Sequence, residues 1–78
     1  MKHFLMVFDR ERRRIVELRE FRTEDYQRAL EARFRKEMEE IPHPEIEVVL
    51  LSSTSLDALK HTHRRYFLGD EGTESVPA

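Results

Sequence analysis

Lys2-His3-Phe4-Leu5-Met6-Val7-Phe8-Asp9 is the stretch on which the fold turns. Successive side chains of a strand point to opposite faces. As a strand, this run sets Phe4, Met6 and Phe8 on one face and Leu5 and Val7 on the other. Both faces are apolar, which is the pattern of a strand inside a sheet rather than at its edge. The run reaches Asp9 too soon for a signal peptide and carries no small-residue cleavage site.

Outward from this strand the chain reads in short units. Arg10-Glu11-Arg12-Arg13 is a polar break, read as a hairpin turn without the Asn-Gly or Asp-Gly that would fix its type. A second strand spans Arg14 to Phe21, where Val16 and Leu18 interleave with Glu17 and Arg19, as suits a half-exposed edge. Thr23 is read as the N-cap of a helix running to about Glu40, with Glu24 and Asp25 in its first turn. Tyr26, Leu30, Phe34 and Met38 recur every four residues, with Ala29 and Ile41 beside them, and are read as its buried stripe. Pro42 and Pro44 end the helix. Residues 45–52 form a third strand, in which Val48-Val49-Leu50-Leu51 is apolar without interruption, as in strands buried on both faces. Thr54 opens a second helix, with Asp57 completing a short capping box. Leu56, Leu59, His63 and Phe67 mark its inner stripe, and Gly69 serves as its C-cap.

The order ββαβα places the first strand in the centre of a three-stranded sheet of order 2-1-3, a split βαβ within the α+β class. Both helices are assigned to one sheet face. Residues 1–69 then make a single domain, and 70–78, acidic and small, a disordered tail. If both helices share a face, the other face has nothing to cover it. Leu5, Val7, Val16, Leu18, Val49 and Leu51 are its candidate residues and the expected homodimer surface.

Composition narrows the function classes. The chain has 78 residues and no cysteine, so neither disulfides nor thiolate metal sites support it. A domain this short buries only about 60% of its unfolded surface, and self-association is the remaining common support. Absence of cysteine suits a reducing, cytoplasmic compartment. Charged and hydrophobic residues each make up 38%, and 14 basic against 16 acidic residues leave a net charge of −2. That balance does not mark a nucleic-acid binder. No run is long and apolar enough for a membrane helix.

Two clusters carry candidate interaction chemistry. Arg10, Arg12, Arg13 and Arg14 suit phosphate or carboxylate recognition at the tip of a hairpin, or else form a solvated turn with gatekeeping charges. His61-Thr62-His63-Arg64-Arg65-Tyr66 sits near the end of the second helix. His61 and His63 are two residues apart, about 200° around a helix, and cannot chelate one metal. His63 falls on the apolar stripe, while Tyr66 with Arg64 or Arg65 is a candidate anion site. Gly69 and Gly72 are the only glycines, so there is no phosphate loop. No nucleophile elbow, cofactor motif or metal-ligand spacing is present either.

From Val48-Val49-Leu50-Leu51 through Ser55-Leu56 to Thr62-His63 and Tyr66-Phe67, the chain resembles short uncharacterised proteins of actinobacteria. The opening Phe4-Leu5 and Phe8-Asp9-Arg10 are similar too. The resemblance covers about half the chain. It implies a bacterial cytoplasmic setting and carries no activity, substrate or site residue.

The expectation is a small non-enzymatic interaction module, homodimeric, that binds another macromolecule, protein before others. The second expectation is nucleic-acid or ribosome binding through the hairpin 10–14. The third is a small dimeric ferredoxin-like enzyme or ligand-binding domain, for which His3, His63 and Tyr66 are the candidates. No cofactor is expected.

Overall fold

The computed structural model describes residues 1–68. Strand β1 (Lys2–Asp9) is the middle of a three-stranded sheet, with β2 (Arg14–Phe21) on one side and β3 (Ile46–Ser53) on the other. Both neighbours run antiparallel to β1, so β2 and β3 are parallel to each other across it. The apolar alternation of β1 is satisfied on both faces, since every residue from His3 to Asp9 is buried.

The β1–β2 turn is built from Asp9. Its Oδ1 accepts from the backbone N–H of Glu11 at 2.9 Å and of Arg12 at 3.0 Å, an Asx turn that replaces the missing Asn-Gly. Arg13 sits at φ 60° and its N–H donates to the carbonyl of Asp9 at 2.7 Å. A non-glycine residue there accepts a cost of about 1–2 kcal/mol. The register shifts between Val7 and Phe8, which face Glu17 and Ile15. The residue left over is Val16, and this bulge turns it out to solvent.

Residues facing one another across an antiparallel pair share a face, which fixes the two layers. With Phe4, Met6 and Phe8 go Leu18, Val49 and Leu51. This layer is covered by α2 (Leu56–Thr62) and α3 (Arg64–Leu68), with Leu59 and Tyr66 completing the core. With Leu5 and Val7 go Arg19, Glu17, Leu50 and Val48. This opposite layer lies under α1 (Tyr26–Glu39), which follows a single 3₁₀ turn at Thr23–Asp25. Two contacts place α1 there: the Tyr26 ring is 4.8 Å from His3, and Lys36 Nζ is 3.1 Å from Glu17 on β2.

The helices therefore lie on opposite faces, and the expectation of two helices on one face is corrected. The bare apolar face disappears with it. Leu5 and Val7 are buried beneath α1; Leu18, Val49 and Leu51 pack on the other layer; Val16 stands alone at the bulge. The physical reason is legible in β1, whose two apolar faces each need a cover.

α1 is turned differently from its sequence reading. It meets the sheet through Ala29 and Ala32, both buried, and through Lys36. Small side chains let a helix approach a sheet closely, and Leu5 and Val7 supply the bulk below. Phe34, Met38 and Ile41, read as its buried stripe, are 65%, 54% and 67% exposed. Thr23 does not cap; its hydroxyl donates to the Met1 carbonyl at 2.6 Å.

The C-terminal helix is also two pieces. Ser55, not Thr54, is the N-cap, its hydroxyl accepting from Ala58 N–H at 3.0 Å. The helix breaks at His63, at φ −124° and ψ 52°. The break shifts the helical phase, so that Tyr66 is buried and Phe67 only half-buried. Gly69 and the tail 70–78 lie outside the described residues.

Candidate functional site

The C-terminal cluster is built on Glu47. Tyr66 is carried inward by α3 until its ring meets Phe8 edge-on, with centroids 5.1 Å apart. Its hydroxyl donates to Glu47 Oε2 at 2.8 Å and accepts from Arg65 at 2.8 Å. The Arg65 guanidinium lies 4.2 Å above the Tyr66 ring and 3.4 Å from the Glu47 carboxylate. The positive group is thus already matched by a carboxylate, and a bound anion would be repelled by Glu47. The Tyr66–Arg65 anion site is corrected to an internal clasp that fastens α3 to β3. His61 is exposed and outside it, and His63, half-buried, has its Nδ1 2.9 Å from the Thr62 hydroxyl.

Burial, with the hydrogen bond and negative charge of Glu47, holds the Tyr66 hydroxyl above its ordinary pKa of 10.0. The folded state therefore holds this proton more tightly than the unfolded one. The stabilisation is complete below pH 10 and is lost as pH rises through the raised folded value. Lys36, whose pKa is raised chiefly by its hydrogen bond to Glu17, adds a loss of the same sign in a neighbouring window. Urea unfolding of wild type and Tyr66→Phe from pH 8 to 11 separates them. The wild type should lose more stability than the variant above pH 10, and parallel pH curves would contradict the clasp.

His3 is on the α1 layer, with Nδ1 2.8 Å from Ser52 Oγ and Nε2 3.3 Å from the Thr23 carbonyl. Tyr66 is on the opposite layer, against Phe8 at the other end of β1. The sheet stands between them, so His3, His63 and Tyr66 do not form a common site. Among the described residues no group of three or more His, Asp or Glu is placed to hold a metal ion.

At the hairpin, Arg10 donates to the Pro44 carbonyl at 2.6 Å, and Arg12 lies 3.9 Å from Asp9. Arg10 thus ties the hairpin to the loop before β3 and Arg12 lies beside the turn's Asp9, while Arg13 and Arg14 are exposed.

Two surface features emerge along α1. On the β2 side a cleft of about 530 Å³ is lined by Arg19, Phe21, Arg28 and Arg35, together with Glu20, Asp25 and Glu31. Arg19 stacks over Phe21 at 5.0 Å. The alternation of Arg19 with Phe21 and the seven-residue spacing of Arg28 and Arg35 were the available signals for it. On the outer side of the helix, Leu30, Phe34 and Met38 line an apolar groove of about 470 Å³ bordered by Glu31 and Arg35, which it shares with the cleft. Ile41, just past the end of the helix, is exposed as well. A helix advances about 100° per residue. With Arg28, Ala32 and Arg35 on the β2 side, Leu30 falls on the β3 side, and Phe34 falls between that flank and the outer face.

No family model, no curated protein and no solved structure matches this chain. Among the described residues no helix is long and apolar enough to cross a membrane.

Proposed function

We propose that this chain is a small protein-binding module that docks through the outer stripe of α1. The observation that carries the reading is the exposure of Phe34 and Met38, large apolar side chains one turn apart on α1, and of Ile41 just past its C-terminus. A soluble domain rarely leaves such a contiguous apolar stripe in water, and docking is its ordinary use. Ion pairs such as Arg33–Glu37 at 3.2 Å border it, giving the apolar centre and polar rim of protein interfaces. The cysteine-free composition suits work in a reducing cytoplasm.

A photo-cross-linking amino acid replacing Phe34, with one replacing Val16 as control, tests this in cells. Both side chains are exposed and apolar, but Val16 stands alone at its bulge. The expected result is a protein adduct from position 34 and none from position 16. Equal labelling from both, or none from either, would contradict the reading.

The Arg-lined cleft favours a second reading, binding of a phosphate-bearing strand with Phe21 as a stacking base. It ranks lower because Glu20, Asp25 and Glu31 share the same wall.

A further inference from the structure

We infer that the partner at this surface is a second copy of the same chain, joined edge to edge through β3 with the two α1 helices side by side above the seam. The inference rests on the docking reading of the α1 stripe and names its occupant.

The two edges of the sheet are unlike. The β2 edge carries Arg14, Glu17, Arg19 and Glu20 and a bulge at Val16, the devices that stop strands from pairing further. β3 reads Ile46-Glu47-Val48-Val49-Leu50-Leu51-Ser52-Ser53, with no proline, no bulge in its pairing to β1 and one charged residue. That residue, Glu47, is tied to Tyr66 and Arg65. β3 has the composition of an interior strand, yet Ile46 to Leu51 are only half-buried while Phe4 to Phe8 of β1 are buried. One more strand beside β3 completes the burial that its sequence is written for.

The same symmetry serves the helix. Pairing β3 antiparallel with its own copy requires a twofold axis normal to the sheet. That axis sets the two α1 helices in one layer, antiparallel, meeting by their β3-side flanks, toward which Leu30 and Phe34 lie. Adjacent strands are about 4.8 Å apart and packed helices about 8–10 Å apart, so a helix lying over β1 and β3 reaches its copy without strain.

The charges on the meeting flank are self-complementary. With antiparallel helices centred near Arg35, the two Phe34 rings meet close to the axis, and Leu30 of one copy lies against the helix C-terminus of the other. Arg33 of each copy comes within reach of Glu37 of the other, and the pair now made within one helix, at 3.2 Å, is exchanged across the seam. An acidic or a basic partner would satisfy only one member of that pair. The seam joins strand to strand and helix to helix, and so is two layers deep.

Sedimentation equilibrium of the purified full chain from about 1 to 300 μM, a span that brackets micromolar dissociation constants, tests the inference. The wild type should dimerise. Phe34→Ser, which alters an exposed residue and leaves the fold intact, should weaken the dimer at least tenfold. Val48→Lys, which adds an edge-blocking charge to β3, should do the same. Arg33→Glu and Glu37→Arg should each weaken it about fivefold, at about 0.5 kcal/mol for each of two symmetric pairs, and the two variants mixed should recover wild-type affinity as a heterodimer. A wild type that is monomeric throughout overturns the inference. So does a dimer indifferent to Phe34→Ser and Val48→Lys, or one that the mixed charge variants do not restore. A position-34 cross-link to a different protein, with a monomeric wild type, leaves the docking reading standing and removes only the second copy.

Discussion

Val7→Glu is expected to abolish folding at neutral pH. Val7 is 2% exposed beneath α1, directly opposite Glu17 on β2. A carboxylate placed there loses its hydration in an apolar layer, at a cost of several kcal/mol. Glu17 adds like-charge repulsion across the strand pair, and Lys36 is already engaged by Glu17 at 3.1 Å. A domain of this size has a stability of roughly 4–12 kcal/mol at about 0.05–0.15 kcal/mol per residue, and the substitution removes most of it. Because the penalty falls on the ionised form, folding should recover toward the ordinary carboxylate range near pH 4. Circular dichroism from pH 7 to 4 checks this. A stably folded Val7→Glu protein at pH 7 would mean that this face is bare and α1 packs elsewhere.

Leu59→Ala is expected to have the next largest effect, on the other layer. Leu59 is fully buried and is the contact α2 makes with the Phe4, Met6 and Phe8 face. Large-to-small changes at such sites cost about 2–5 kcal/mol, from lost transfer energy and the remaining cavity. Phe67→Ala should cost less, although it removes a larger side chain, because its ring is half-buried with Lys60 5.9 Å above it. Urea midpoints of the two variants give the comparison. A Phe67→Ala loss greater than that of Leu59→Ala would restore Phe67 to the core and displace the break at His63.

The sheet was legible because β1 has two apolar faces and β2 alternates, and the turn at residues 10–13 falls where charge interrupts the pattern. The order 2-1-3 followed from those features. The rotation of α1 on its face was not legible in the same way. Periodicity shows that Tyr26, Leu30, Phe34 and Met38 share a stripe, but not whether the stripe or the adjacent Ala29–Ala32 side meets the sheet. Ala29 and Ala32 let the helix sit close over Leu5 and Val7, and that is a matter of depth between layers rather than of pattern. The clasp at Tyr66 was missed for another reason. A helix read as continuous through His63 carries its phase to Phe67, and the break at that residue has no Gly or Pro to announce it. The hairpin arginines were read as a group, while the structure divides them by the carbonyl and carboxylate partners that only tertiary contact supplies.

The stripe on α1 is the point at which structure and pattern diverge most, and the functional reading depends on it. Urea unfolding of Phe34→Ser, at a concentration low enough to keep the chain monomeric, tests it most directly. An exposed docking residue should change the unfolding free energy by no more than about 0.5 kcal/mol. A loss of about 3 kcal/mol or more, the cost of removing a buried phenylalanine, would place the stripe in the core and contradict the account.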